Sequence, residues 1–209
     1  QRGFIGLGRQ CLGHLGFFLG QKDCRVVSLA EVAKVRLDHA LGRVRGKYGA
    51  EHGCKAAVDF RETIADSRVD AVVIGTPDHW HCLQMVDACD AGKDVYVEKP
   101  LANSIEEGRR MVDAQEYHGR IVQVGQWQRS GPHWSEAIDL VSSGELGALR
   151  TVKVWAYMNW KEVIQVRPDE PVPLASTTIC GLGRPRRDRS IDTAFTIIFA
   201  GSGIMRAGS

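Results

Sequence analysis

The chain has 209 residues, of which 44% are hydrophobic and 25% are charged, and its 27 basic residues nearly balance 25 acidic ones. These proportions are typical of a globular protein and argue against a disordered chain, a collagen-like repeat or a highly charged nucleic-acid-binding protein. No apolar run in the sequence approaches the roughly 18 residues that a membrane-spanning helix needs.

The six cysteines are scattered and form neither a C-x-x-C pair nor a Cys/His cluster at zinc spacing. They indicate free thiols in a reducing compartment, and no metal site is expected. Because the sequence begins at Gln1, a leader peptide, if the gene encodes one, lies outside it. The expected location is the cytoplasm, or the periplasm if a leader precedes Gln1.

Short β-type runs alternate with amphipathic helical stretches through most of the chain, which is typical of a parallel sheet covered by crossover helices. Runs such as VDAVVIG are apolar without alternation, as expected for strands that are buried on both faces. The predicted strands are residues 3–6, 25–30, 56–58, 69–74, 94–97 and 121–124.

The first strand ends in GLGRQC, which is the G-x-G-x-x-G dinucleotide-binding motif with Cys11 in place of the third glycine. Gly6 permits the tight turn, and Gly8 lets the backbone approach a pyrophosphate. The N–H groups of Arg9 and Gln10 open the next helix and would hold phosphate oxygens. By itself the motif is weak, and a plain glycine-rich turn is the alternative.

An acidic residue, Glu31, follows the second predicted strand at the position where a carboxylate can accept hydrogen bonds from the ribose hydroxyls of a dinucleotide. A carboxylate there repels a 2'-phosphate, so NAD is predicted in preference to NADP. Lys34 and Arg36, just beyond, moderate that preference.

The fourth predicted strand is followed by TPDHWH, residues 76–81, at the carboxyl edge where open α/β sheets bind ligands. Two histidines suggest metal binding, but only Asp78 offers a further ligand nearby. We therefore expect Asp78 to cap a helix N-terminus.

The fifth predicted strand runs into Glu98 and Lys99. A lysine at the end of a buried strand is costly unless it is paired or used, and a desolvated lysine suits proton exchange with a substrate hydroxyl. A surface lysine paired with Glu98 is the alternative, and composition alone does not decide between them.

A helix is predicted over residues 104–118, because Ser104 and Glu107 form a capping box at its start. The residues expected to face the sheet are Ile105, Gly108 and Val112. A second helix over 132–141 has Pro132 in its first turn. Its apolar face comprises Trp134, Ala137, Ile138 and Val141.

The segment TVKVWAYMNW, residues 151–160, alternates apolar and polar side chains and predicts a strand of a different sheet. From residue 174 onward no periodic pattern is readable. The residues before it have a net charge of −1, whereas the last 36 have +3.

The segments GFIGLGRQ, TPDHWH, VYVEKPLA and VGQWQRSGPHW, with Glu31 and the later SGELGALRTVKVW, resemble the Gfo/Idh/MocA oxidoreductases over about residues 3–173. The resemblance implies an α/β fold: a doubly wound Rossmann domain over 1–128, then the start of a truncated α+β substrate domain over 129–173. It also implies hydride transfer between NAD(P) and a hydroxyl-bearing carbon of a sugar or cyclitol.

Carried over by position, the resemblance makes Lys99 the catalytic lysine, with Glu98 and Pro100 shaping its loop and Glu98 counted among the cofactor-binding residues. Thr76, Pro77 and His81 line the nicotinamide side. Gln126 is expected to face the cofactor, and Arg129 the substrate. The family's second catalytic group, usually an Asp/His pair, has no counterpart in this sequence.

The resemblance also implies the partners: a small sugar or cyclitol, no nucleic acid, no membrane, and homo-oligomers formed through the second-domain sheet in full-length relatives. Two alternatives remain open. One is an NAD-dependent glycoside hydrolase on the same scaffold, and the other is a noncatalytic nucleotide-binding protein in which Lys99 is structural.

The last segment, residues 174–209, does not follow the family pattern. Codons chosen for residues 176–184 read D-Y-D-L-W-L-G-P when the frame is displaced by one base, and this resembles the family's W-L-G-P segment. We therefore expect an out-of-frame, disordered tail and an inactive truncated chain. The alternative is that Arg184–Arg189, RPRRDR, forms a true basic patch. The nucleotide sequence across codons 170–180 distinguishes the two.

Overall fold

The computed structural model describes residues 1–155. This part of the chain divides into two compact units, residues 1–125 and residues 126–155. The predictions for the tail at 174–209, its basic cluster and the second half of the strand at 151–160 all lie outside the described residues.

The first unit is built around a six-stranded sheet in which every neighbouring pair of strands is parallel. The strand order is β3-β2-β1-β4-β5-β6. Strands β2 and β3 are added on one side of β1 and strands β4 to β6 on the other, so the strand order reverses between β1 and β4. The predicted doubly wound parallel fold is confirmed, and each predicted strand is present within two residues at either end. The strands are β1 Arg2–Ile5, β2 Val26–Ala30, β3 Lys55–Ala57, β4 Ala71–Ile74, β5 Asp94–Val97 and β6 Val122–Val124.

Helices cover both faces of the sheet. They are α1 Arg9–Gly20, α2 Lys34–Tyr48, α3 Phe60–Ile64, α4 His81–Asp90 and α5 Ile105–His118. Successive residues of a strand pack on opposite faces of the sheet. Phe4 belongs to a core cluster with residues of α1 and α2, whereas Ile5 belongs to one with residues of α3, α4 and α5. This two-sided burial explains why the strand sequences are continuously apolar.

The helix α5 begins as predicted but packs through a different face. The Ser104 Oγ accepts the N–H of Glu107 at 3.2 Å, while the Glu107 carboxylate reaches the N–H of Asn103 at 2.9 Å instead of that of Ser104. The prediction that Ile105 and Val112 face the sheet is wrong, because their exposed fractions are 79% and 48%. Met111 is the fully buried residue of this helix. A helical period of 3.6 residues fits either the predicted face or the observed one. Met111 lies three residues after Gly108, one turn further along the helix.

The second unit contains a 3₁₀ turn over Trp127–Ser130 and the helix α6, Pro132–Ser142, which starts with Pro132 as predicted. Its predicted apolar face is exposed: Trp134, Ile138 and Val141 are 47%, 56% and 45% accessible. Residues 151–155 have no strand structure, so the strand predicted over 151–160 is wrong for its described half.

Within residues 1–155, no helix is both long and apolar enough to cross a membrane. The same residues contain no group of three or more His, Cys, Asp or Glu side chains placed to hold a metal ion. Their cysteines are all free thiols, namely Cys11, Cys24, Cys54, Cys82 and Cys89.

Candidate functional site

The loop that follows β1 is shaped by two glycines with different roles. Gly6 has a φ of +79°, and a Cβ atom added to it would lie 2.5 Å from the Thr76 side chain and 2.8 Å from the Thr76 backbone. Both the positive φ and the close approach therefore require glycine. Gly8 has an ordinary extended conformation, and an added Cβ would meet only the Arg36 guanidinium, at 3.6 Å. The protein itself does not need a glycine at residue 8, so the space above it is available to a ligand.

The N-terminus of α1 opens beside Gly8 with Arg9 and Gln10. No side-chain hydrogen bond caps this end in the described structure, and its first turn contains no acidic residue. Backbone N–H groups at an uncapped helix N-terminus attract anions through both their hydrogen bonds and the helix dipole. The local structure therefore fits a phosphate group, as the glycine motif predicts.

The third position of the motif is filled by Cys11, which is completely buried against Gly75. Burial raises the pKa of its thiol well above the ordinary value, and the carboxylates of Glu31 and Glu98 raise it further. This thiol is an inert packing group.

Glu31 lies directly after β2, and its carboxylate is turned towards the protein. One oxygen accepts the N–H of Leu7 at 2.6 Å and the other accepts the N–H of Ala33 at 3.0 Å. The residue is only 7% exposed. Glu31 thus ties the glycine loop to the start of α2, a structural role that the sequence pattern did not indicate.

The loop after β4 is held by His81, whose side chain is fully buried. Its Nε2 lies 3.0 Å from the carbonyl oxygen of Thr76, and its Nδ1 lies 2.7 Å from that of Pro100. The Thr76 hydroxyl donates to the Gln84 side chain at 2.7 Å. His81 therefore joins the loop after β4 to the loop after β5, and it presents no ring nitrogen to a ligand in this conformation.

The predicted helix cap at Asp78 is wrong. A short 3₁₀ turn, Asp78–Trp80, precedes α4, and neither element has a side-chain capping hydrogen bond; the residues at their N-terminal caps are Pro77 and Trp80. The buried His79 Nε2 and Trp80 Nε1 have no hydrogen-bond partner in the described part of the chain. Burial lowers the pKa of His79, although the Asp78 carboxylate opposes this.

The end of β5 places a buried carboxylate next to an exposed lysine. Glu98 is 5% exposed and accepts the N–H of Lys99 at 3.1 Å, whereas the Lys99 side chain is exposed. Within residues 1–155 the side-chain partner of Glu98 at short range is His14, whose Nε2 lies 2.6 Å from Oε1, and no ion pair joins Glu98 to the Lys99 ammonium. The alternative of a surface lysine paired with Glu98 thus finds no support. His14 was not among the predicted site residues.

The remaining predicted residues, Gln126 and Arg129, belong to the second unit. Both are exposed, and Arg129 lies in the 3₁₀ turn, where its N–H donates to the Gln126 carbonyl oxygen at 2.9 Å. In the first unit the other predicted residues follow β1, β2, β4 and β5, which are adjacent and parallel and so end at the same edge of the sheet.

The fold of the first unit also has relatives among known proteins. Residues 1–126 match the profile of an oxidoreductase family with an NAD-binding Rossmann fold. The chain is 33% identical over 139 residues to scyllo-inositol 2-dehydrogenase (NAD(+)) of Bacillus subtilis, covering 65% of this chain and 40% of that protein. It is 25% identical over 149 residues to a glycosyl hydrolase family 109 protein of Shewanella, covering 70% of this chain and 32% of that protein.

Among solved structures, the first unit and its neighbouring residues resemble the Lactobacillus casei scyllo-inositol dehydrogenase determined with NAD(H) and scyllo-inositol. The two share 27% sequence identity with a TM-score of 0.60, over 70% of this chain and 42% of that one. The chain spans less than half the length of the curated relatives that it matches.

Proposed function

The chain belongs to the Gfo/Idh/MocA oxidoreductase family and has its NAD-binding Rossmann fold, and from this we propose that residues 1–128 form the cofactor-binding half of a dehydrogenase. The reaction is hydride transfer between NAD and a hydroxyl-bearing carbon of a sugar or cyclitol. Residues 129–173 begin the substrate domain.

The observation that carries this proposal is the position of Lys99. Its side chain is exposed at the carboxyl end of β5, beside the end of β4, and the carboxylate of the preceding residue, Glu98, is engaged by His14. The side chain is exposed and not desolvated as the sequence suggested; in its neutral form, an amine at this edge would accept the proton of a substrate hydroxyl during oxidation and return it during reduction. When bound, the nicotinamide accepts or supplies the hydride.

Several residues of the first unit would hold the dinucleotide. Gly8 leaves room for the pyrophosphate, and the N–H groups of Arg9 and Gln10 would bind its oxygens. Thr76 and Pro77 would line the nicotinamide side from the end of β4. In this proposal Gly6, Glu31, Glu98 and His81 act mainly by holding these loops in place, because all four are engaged within the protein.

NAD is the proposed cofactor in preference to NADP, because the buried Glu31 carboxylate lies beside the glycine loop and disfavours a 2'-phosphate. Gln126 and Arg129 are proposed to contact cofactor and substrate respectively. The substrate class rests on the named activities of relatives, which act on inositols. We propose no nucleic-acid or membrane partner, a cytoplasmic location, and homo-oligomers in full-length relatives.

Titration of the purified 209-residue chain with NADH, followed by nicotinamide fluorescence, tests the cofactor site. Gly8→Ala should weaken NADH binding by about tenfold or more while leaving the unfolding midpoint unchanged, because its methyl group would occupy the space for the pyrophosphate. Gly13→Ala, inside α1, is the control glycine variant, because an added Cβ there meets nothing within 4 Å. Equal NADH affinity for all three proteins would contradict the proposal.

The glycoside hydrolase alternative is kept because a glycosyl hydrolase family 109 protein matches the same part of the chain. The two functions differ in their redox balance. A dehydrogenase accumulates NADH from a free cyclitol, whereas a hydrolase that uses NAD transiently does not. An assay of the enzyme carrying its full second domain, with NAD and free inositol, separates them by absorbance.

A further inference from the structure

The carboxylate of Glu98, the residue before the proposed catalytic lysine, is buried and needs hydrogen-bond donors to offset the cost of its desolvation. It has three: the N–H of Lys99 donates to Oε2 at 3.1 Å, while His14 Nε2, at 2.6 Å, and Gln10 Nε2, at 3.4 Å, approach Oε1. A buried carboxylate without such partners would be strongly disfavoured. The short distance from His14 makes it the strongest of these contacts.

Two of the three donors come from the helix whose N-terminus would bind the cofactor phosphates. Gln10 and His14 are four residues apart in α1 and therefore lie on one face of the helix, towards the end of β5. The structure thus links the dinucleotide-binding helix to the residue that precedes Lys99, across 84 positions of sequence.

Packing leaves the carboxylate little freedom to choose other partners. The His14 ring meets Tyr96 edge to face, with centroids 5.2 Å apart. On the other side, a Cβ added to Gly125 would lie 2.9 Å from the Tyr96 hydroxyl and 3.0 Å from Glu98 Oε1. Burial and the nearby Glu98 carboxylate both raise the pKa of Tyr96, as expected for a phenol beside an enclosed anion.

We propose that His14 is a positioning residue for Lys99, acting through Glu98. By holding Oε1, His14 keeps Oε2 directed at the N–H of Lys99, and this fixes the backbone from which the lysine side chain projects. The inference rests on the proposed function, in which Lys99 exchanges the substrate proton. His14 itself touches neither the cofactor nor the substrate in this proposal.

The reactivity of individual lysines tests the inference without any cofactor. The full chain is treated with a small acetylating reagent, and the rate at each lysine is followed by mass spectrometry. Lys47 is exposed and serves as the reference. Lys93 donates to the carbonyl oxygens of Asp66 and Val69 and serves as a reporter of unfolding.

Replacing the donor should release the Lys99 loop. We expect His14→Leu to raise the acetylation rate of Lys99 by about three- to tenfold, the factor that corresponds to one lost hydrogen bond. The rates of Lys47 and Lys93 should not change. His39→Leu, at an exposed histidine of α2, is the matched control and should leave Lys99 at the wild-type rate.

Conservative variants distinguish positioning from a general loss of structure. His14→Gln retains a donor at a similar reach and should restore the wild-type rate, whereas the shorter His14→Asn should not. In a Glu98→Leu background, which removes both oxygens that accept these hydrogen bonds, His14→Leu should have no further effect on Lys99.

The inference is overturned if Lys99 reacts equally in wild type and His14→Leu, or if the effects of the His14 and Glu98 changes add fully. If His14→Leu also raises the acetylation rate of Lys93, that variant is partly unfolded and the conservative variants decide. Equal Lys99 rates in His14→Gln and His14→Asn then overturn the inference. Failure of the wild-type chain to bind NADH would instead refute the proposed function, since the acetylation rates do not depend on cofactor.

Discussion

A Cβ atom placed on Gly75 would lie 2.6 Å from the Cβ of Cys11, so these two positions together contain room for only one side chain. The dinucleotide-binding motif normally has its third glycine at the position of Cys11, to let helix and strand approach closely. In this protein the glycine that permits the approach stands on the other side of the contact, directly after β4.

This relationship predicts compensation between the two positions. Gly75→Ala should destabilise the protein by about 1–3 kcal/mol, because the new methyl group overlaps Cys11 in a packed core. Cys11→Gly alone should cost about 1 kcal/mol or more through helix flexibility and lost packing. The double variant should be more stable than the sum of the single effects allows. Urea unfolding of all four proteins measures this coupling, and strict additivity would contradict it.

The buried carboxylate of Glu31 predicts a loss of stability when it becomes an amide. In Glu31→Gln one of the two backbone N–H groups, of Leu7 or Ala33, must face an amide NH₂ and lose its acceptor. We expect the free energy of unfolding to fall by about 1–3 kcal/mol. Glu51→Gln, at an exposed position, is the control and should change little.

The same Glu31 variant should also narrow the preference between NADH and NADPH, since the charge that disfavours a 2'-phosphate is gone. Parallel fluorescence titrations measure the ratio of the two dissociation constants. An unchanged ratio would show that Glu31 does not set the preference.

The pH dependence of stability should report His79. Burial holds its pKa below the ordinary value of 6.5, so the folded protein binds this proton less readily than the unfolded chain does. Stability from this residue is present above about pH 6.5 and is lost as the pH falls towards the lowered folded pKa. Urea unfolding at several pH values between 8 and 5 should show a smaller decline for His79→Gln than for wild type. Parallel declines would show that His79 does not contribute.

The packing of α5 predicts a contrast between two adjacent residues. Met111 is fully buried and Val112 is 48% exposed. Met111→Ala should therefore cost about 2–5 kcal/mol, whereas Val112→Ala should cost less than about 1 kcal/mol. Thermal or urea unfolding measures both. Similar losses of stability in the two variants would support the helix face that the sequence predicted.

The strands were predictable from sequence because a parallel strand covered by helices on both faces is continuously apolar. Val72 and Val73 illustrate this, since they enter opposite core clusters. The face of α5 was not predictable in the same way. Two faces of α5 satisfy a helical period: the predicted one, with Ile105, Gly108 and Val112, and the observed one, through Met111. Only the position of α4 decides which of the two is buried.

At the site, the sequence predicted which residues gather at the sheet edge but not which way they turn. The inward direction of the Glu31 carboxylate depends on where the N–H groups of Leu7 and Ala33 lie. The contact of His14 with Glu98 joins residues far apart in sequence, and a lone histidine on an amphipathic helix gives no signal of its partner. Asp78 had the right residue type for a cap, but a 3₁₀ turn displaced the helix start to His81.

The place of β1 in the middle of the sheet bears on how the protein is made. Arg2 pairs with Val26 of β2 on one side and with Ala71 of β4 on the other. During synthesis, β1 can dock with β2 early, but its second edge has no partner until β4 leaves the ribosome. We expect the nascent chain to retain an open, aggregation-prone edge over that interval, which closes when β4 inserts and before β5 and β6 extend the sheet.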